Sequence, residues 1–162
     1  MHINIRYEQL KDQESVYQLI ASSFETDDEE KLVRLLHTDH QSLISLVAEI
    51  DNTIVGQIVL SKMEVKASNI SIFCLAPMSV APEYQNQGIG TKLVEAVIKE
   101  GKNNIDAIFV LYILGHPSYY PRFGFKPTSE YGIKCQYDVP SNVFMVLDLT
   151  NKLELLKGQT VY

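Results

Sequence analysis

Gln85-Asn86-Gln87-Gly88-Ile89-Gly90 separates a short apolar stretch, Leu75-Ala76-Pro77-Met78-Ser79-Val80, from a segment with helical periodicity. Ile89, Leu93, Val94, Val97 and Ile98 recur on one face of that segment, and Gly101 is placed to end the helix. A strand–turn–helix junction leaves several backbone N–H groups pointing out of the first helical turn, with the positive end of the macrodipole behind them. Glycines there remove the Cβ atoms that would hold a diphosphate at a distance. The stretch reads as a backbone grip for a phosphorylated cofactor.

Spacing excludes two owners of such turns. A P-loop needs a glycine directly before its lysine, whereas Lys92 follows Thr91. A dinucleotide fingerprint needs a third glycine three residues after Gly90, and that position is Leu93. What the segment resembles is the Gln/Arg-x-x-Gly-x-Gly/Ala signature of the GNAT superfamily of N-acetyltransferases. A structural turn that merely starts a helix is the alternative reading of the motif alone.

A second segment, Leu111-Tyr112-Ile113-Leu114-Gly115-His116-Pro117-Ser118-Tyr119-Tyr120-Pro121-Arg122-Phe123-Gly124-Phe125, is similar to the fifth strand, fourth helix and following Gly-Phe of the same superfamily. It most resembles the YhbS-like branch, with its Leu-Gly-His-Pro, Tyr-Tyr and Arg-Phe-Gly-Phe run. The resemblance extends through Phe144-Met145-Val146-Leu147-Asp148-Leu149 as a seventh strand. It implies an α/β fold (α+β by some schemes), with a mixed central sheet of about seven strands and helices on both faces. The fourth strand is expected to splay from the fifth and open a cleft. Pro77, which cannot donate to a ladder, suits a bulge in that fourth strand.

Composition sets further limits. The 162 residues are read as one domain, 1–162, long enough to bury a core. No apolar run reaches a membrane-spanning length, and the N-terminus lacks a signal-peptide pattern, so a cytoplasmic protein is expected. Cys74 and Cys135 lie far apart and read as free thiols of a reducing compartment. Histidines 2, 37, 40 and 116 are scattered, the His37/His40 pair lacks partners, and no metal is expected. A net charge of −6 argues against nucleic acid as a partner.

Along the chain, 3–7 alternates as a first strand, and Asp12 is placed to cap a helix with Val16, Leu19, Ile20 and Phe24 on its apolar face. Thr26-Asp27-Asp28-Glu29 reads as a capping box opening a second helix through Leu32, Val33, Leu35 and Leu36. Strands over 43–50 and 53–65 meet at the tight Asp51-Asn52 turn. Strands over 70–80 and 107–114 follow, the latter apolar almost throughout, as a central strand should be.

By resemblance the cosubstrate is acetyl-CoA. Gln85, Asn86, Gln87, Gly88, Ile89, Gly90 and Thr91 would hold its diphosphate, and main-chain groups of Met78, Ser79 and Val80 its pantetheine and thioester carbonyl. Pro77 has no N–H to offer. A lysine-type amine of pKa ~10.4 is nucleophilic in only about one molecule in a few thousand at neutral pH, which costs roughly 4–5 kcal/mol without a base. Its attack makes an oxyanion that wants a backbone N–H in a dry cleft. Collapse expels CoA thiolate, and a tyrosine, still protonated at neutral pH, suits the task of protonating it. The superfamily commonly places that acid five residues before the Phe of the Gly-Phe pair, here Tyr120, with Tyr119 as its competitor. Pro117 and Gly124 would bound the short helix that carries them, and Arg122 reads as a surface cation.

The base stays unassigned. Ile70-Ser71-Ile72-Phe73-Cys74-Leu75 offers no carboxylate where many relatives have glutamate, Glu64 would act only through water, Cys74 reads as a core residue, and His116 as a structural histidine. Glu25, Asp27, Asp28, Glu29 and Glu30 would either steer a cationic amine or stabilise a helix dipole. The partners implied are acetyl-CoA and a small-molecule or peptide amine, acting directly in a ternary complex, with a homodimer allowed. A non-catalytic CoA-binding sensor and an unrelated nucleotide-binding module are the other two readings.

Overall fold

In the computed structural model, which describes residues 2–39, 42–63, 71–104 and 109–161, Asp51 and Asn52 turn the chain at φ 48° and 62°. Two consecutive left-handed residues make the hairpin turn whose twist matches that of the flanking strands. Those strands, Ser42–Ile50 (β2) and Thr53–Met63 (β3), pair antiparallel as expected. Asn4–Tyr7 (β1) adds antiparallel to β2 from Asn4↔Glu49 to Tyr7↔Leu46.

The chain forms two compact units, 1–61 with 76–100 and 62–75 with 101–162. In the first, helices Gln13–Ser23 (α1) and Asp28–Thr38 (α2) cover one face of the β2–β3 hairpin. Val16, Tyr17, Ile20, Val33 and Leu36 pack there against Val47 and Val59. Each such fully buried aliphatic side chain contributes roughly 1.5–3 kcal/mol. Helix Ile89–Asn104 (α3) covers the other face through buried Ile89, Leu93, Val94 and Val97. It comes so close that a Cβ at Gly56 of β3 would lie 3.1 Å from both Ile89 and Leu93.

The helix boundaries correct several expectations. Asp12 does not cap α1 with its side chain; it ends a 3-10 turn, Leu10–Asp12, where its carboxylate accepts from the Gln9 N–H at 2.8 Å. It also receives Arg6 at 2.6 and 3.2 Å, while the same guanidinium reaches Glu49 at 2.6 and 3.1 Å. This pairing holds the Asp12 carboxyl below the usual carboxylate range. Thr26 forms no backbone capping box: α2 starts at Asp28, and the Thr26 hydroxyl meets the Glu29 side chain at 3.3 Å. On α2 only Val33 and Leu36 are buried, whereas Leu32 and Leu35 face outward. Gly101 does not end α3; it is buried inside the helix, which runs on to Asn104.

Strand Ser71–Val80 (β4) runs through both units, and the Ala76–Pro77 peptide within it is cis. In the second unit β4 pairs parallel with Phe109–Leu114 (β5), from Ser71↔Phe109 to Cys74↔Tyr112. Lys126–Pro127 (β6), Lys134–Cys135 (β7), Phe144–Asp148 (β8) and Thr160–Val161 (β9) are the remaining strands among the described residues. The segment expected as a seventh strand forms β8, the eighth in chain order, antiparallel to β5. The sheet is mixed and seven-stranded in the order β1-β2-β3-β4-β5-β8-β6, with β7 and β9 paired separately. Tyr112 and Phe144, stacked with centroids 5.3 Å apart, centre the second unit's core with Ile72, Ile133 and Leu156. Residues 64–70 and 105–108, and with them parts of the strands expected over 53–65, 70–80 and 107–114, lie outside the described residues.

Candidate functional site

The α3 mouth is built in the first unit. After β4 a 3-10 turn, Pro82–Tyr84, swings the chain outward, with Tyr84 N–H on the Ala81 carbonyl at 2.8 Å. Asn86 and Gly88 then adopt left-handed φ values of 59° and 82°. Asparagine tolerates this region better than most residues and glycine enters it freely. The helical ladder begins with Lys92 N–H on the Gly88 carbonyl at 3.1 Å, so the amides of Ile89 and Gly90 lie ahead of it. Gln85, Asn86, Gln87 and Gly88 are exposed, Gly90 and Thr91 half-buried, and Ile89 is anchored in the core. A Cβ at Gly88 would meet nothing within 4 Å. The mouth is thus open, amide-lined and placed at the start of α3.

The two glutamines of the motif do local work. Gln85 donates its side-chain amide to the Val80 carbonyl at 3.0 Å, tying the loop to the end of β4. Gln87 donates to the Glu83 carbonyl at 3.1 Å. On β4 itself Ser79 is buried, while Met78 and Val80 are half-buried. Behind this stretch stands a residue that sequence reading passed over. Gln57 of β3 is fully buried, and its amide nitrogen reaches the Pro77 carbonyl at 3.4 Å and the Ser79 hydroxyl at 3.3 Å.

The tyrosine turn belongs to the second unit. The expected short helix from Pro117 to Gly124 is a single 3-10 turn, Tyr120–Phe123, and Pro117 does not start it. Tyr119 occupies its N-cap position and Gly124, at φ 95°, its C-cap. Two prolines within five residues leave too few amides for a longer ladder. Tyr120 is the buried member of the tyrosine pair. Its ring contacts Tyr119, Phe125 and Phe123 at centroid distances of 5.0, 5.8 and 6.4 Å. Gly115 supplies the floor: a Cβ there would lie 2.3 Å from Cε2 of Tyr120. Burial pushes the Tyr120 phenol up to about 12, with smaller contributions from Tyr119 and Cys74. Tyr119 is half-buried, and Arg122 lies 4.5 Å above its ring while donating to its carbonyl at 2.9 Å.

The remaining candidates separate. The Cys74 thiol is pushed up to about 12, chiefly by burial, so it is not an activated nucleophile. His116 is exposed, with Nδ1 2.8 Å from the Ser118 hydroxyl, a local structural contact. In the acidic stretch Asp27 pairs with Lys31 at 2.8 Å and Glu30 with Arg34 at 2.7 Å, so two of its charges are answered by cations of α2. Glu64 and His40 lie outside the described residues. His37 makes structural contacts instead of belonging to a metal-ligating group: Nδ1 lies 2.8 Å from the Tyr17 hydroxyl and Nε2 3.3 Å from Glu8, with Ser45 donating to the same Glu8 oxygen. Those partners are distant in sequence, which hid them. Among the described residues no group of three His, Cys, Asp or Glu side chains is arranged to hold a metal ion, and no helix is long and apolar enough to cross a membrane.

Comparison with known proteins places this architecture. A family model for the acetyltransferase (GNAT) domain matches residues 41–127. The chain is 30% identical over 159 residues to YhbS, an uncharacterised N-acetyltransferase of Escherichia coli K12, covering 96% of this chain and 92% of that protein. The crystal structure of E. coli YhbS in complex with CoA superimposes with a TM-score of 0.91 at 27% identity, covering 99% of this chain and 89% of that one. A Brucella melitensis GNAT family acetyltransferase in complex with acetyl-CoA gives 0.77 at 27% identity, over 91% and 88%. With a family model spanning more than half its length and a relative matched almost end to end, the chain belongs to the GNAT family, on its YhbS-like branch, and is an acyltransferase.

Proposed function

We propose that the protein, acting as one GNAT domain over 1–162, transfers the acetyl group of acetyl-CoA to a primary amine in a ternary complex. The observation that carries this is the α3 mouth: exposed residues 85–88, two left-handed, lead into the amides of Ile89 and Gly90, which have no backbone acceptor among the described residues, at a helix N-terminus. A diphosphate placed there meets backbone donors and a favourable dipole together. Met78, Ser79 and Val80 would pair with the pantetheine arm and offer an N–H to the thioester carbonyl. The complexes of E. coli YhbS with CoA and of the Brucella protein with acetyl-CoA support this choice of cosubstrate.

In the reaction the amine attacks the thioester carbon, the carbonyl electrons collect on oxygen, and collapse breaks the carbon–sulfur bond. Tyr120 is assigned as donor to the departing sulfur. Raised to about 12, its phenol keeps its proton at working pH. Full transfer to a thiolate of ordinary pKa ~8.5 would cost about 5 kcal/mol, so the donation is best described as a strong hydrogen bond to the developing charge. The amine proton passes to a base that β4, which carries no carboxylate, does not supply.

Replacing Tyr120 with Phe tests the reading through acceptor-dependent release of free CoA thiol across a panel of amines. Turnover is expected to fall at least tenfold, about 1.4 kcal/mol, while acetyl-CoA binding survives. An unchanged rate removes Tyr120 from the reaction. No acceptor-dependent release from the unaltered protein with any amine favours a CoA-binding sensor.

A further inference from the structure

We infer that Gln57 is a positioning residue that sets β4 for the pantetheine arm of the cofactor, leaving the diphosphate grip to the α3 mouth. The inference rests on the acetyl-CoA reading above. Gln57 interrupts an otherwise apolar buried run: Val55, Ile58, Val59 and Leu60 are all buried, and Gln57 itself is 0% exposed. Its cross-strand partner on β2 is Val47, part of the apolar layer under α1 and α2. An aliphatic residue would suit that layer better, because burying an amide costs free energy unless its groups are satisfied.

They are satisfied on one side only. The amide nitrogen reaches Pro77 and Ser79, while Oε1 is buried with no partner among the described residues. The orientation is dictated chemically: the Pro77 carbonyl can only accept, so the nitrogen must face it. Burying that oxygen without a partner costs stability, so what the residue contributes lies in what its nitrogen holds. What the amide achieves is local. Pro77 has no N–H, so the strand lacks a ladder donor where it approaches Met78, Ser79 and Val80. Gln57 supplies a side-chain donor there and fixes the Pro77 carbonyl and the Ser79 hydroxyl together, which sets the direction of the peptide groups between them. The Gln85–Gly90 loop has its own anchors, Gln85 on Val80 and Gln87 on Glu83, and takes no bond from Gln57 among the described residues.

The test compares two ligands by calorimetry: acetyl-CoA, and 3′-phospho-ADP, which carries the diphosphate without pantetheine. For Gln57→Met the dissociation constant of acetyl-CoA is expected to rise about tenfold, with that of 3′-phospho-ADP unchanged within about twofold. Ser79→Ala removes one of the two contacts without leaving a large gap, and should give about a threefold rise on acetyl-CoA alone. It serves as the informative variant should Gln57→Met fail to fold. Combining the two should be less than multiplicative, because both cut the same link. Equal loss for both ligands would make Gln57 a general packing residue, and no loss for either would leave it without a role; each overturns the inference. Failure of the unaltered protein to bind acetyl-CoA at all is a different result, and takes down the acetyl-CoA reading together with this one.

Discussion

Two glycine-bearing turns follow strands in this molecule, and they use glycine for opposite ends. At the α3 mouth Gly88 is exposed, left-handed at φ 82°, and surrounded by open space. At the end of β5 Gly115 is half-buried, with the ring of Tyr120 pressed into the volume a side chain would occupy. The first glycine leaves room for something from outside, and the second makes room for something inside. The lesson is that a glycine in a motif names a constraint without saying whether it concerns conformation or space. Substitution by alanine separates the two.

Gly115→Ala should have the largest effect. A methyl group 2.3 Å from a ring carbon cannot be accommodated without moving Tyr120, because that ring is boxed in by Phe123, Phe125 and Tyr119. Overpacking of this kind costs about 3 kcal/mol, measurable as a shift in denaturation midpoint. If the midpoint hardly moves, the tyrosine turn is looser than its contacts indicate. Gly88→Ala should cost less, about 1 kcal/mol of stability, since only the left-handed backbone objects. Its acetyl-CoA affinity should fall further, by about tenfold, if the diphosphate comes as near as open space permits. An unchanged affinity would reduce Gly88 to a turn residue.

The smallest expected effect is a flat pH profile. Tyr120 must be protonated to donate, and its folded pKa is raised to about 12 by burial. The donor is therefore retained as pH rises through ~10, where a solvent-exposed tyrosine would lose its proton. Between pH 8 and 10.5 kcat should vary by less than about twofold from this group. A descending limb near pH 10 would show that the donor is a phenol other than the buried Tyr120.

What could be read from the chain was whatever depends on neighbours in sequence. The α3 mouth was legible because strand, glycines and helical periodicity all fall within 75–98. The Asp51-Asn52 hairpin was legible for the same reason, its turn chemistry being written in two adjacent residues. Gly101 misled because a glycine near a helix end has two uses, and only burial shows which applies. Asp12 misled because its carboxylate had a stronger customer in Arg6 than the helix amides. Gln57 and His37 were invisible: their partners lie 20 or more residues away, and nothing local distinguishes a buried amide or imidazole from an exposed one. Choosing Tyr120 over Tyr119 rested on family spacing, and the burial of its ring now supplies a physical difference between the two.

The Arg6 fork bears on how the outermost strand finds its place. β1 has four residues and lies at one end of the sheet, where a strand is free to slide or to recruit another chain. A slip by one residue would carry the guanidinium to the opposite side of the sheet and strand Asp12 and Glu49 without their cation. The arginine thus proofreads the alignment of an edge too short to proofread itself.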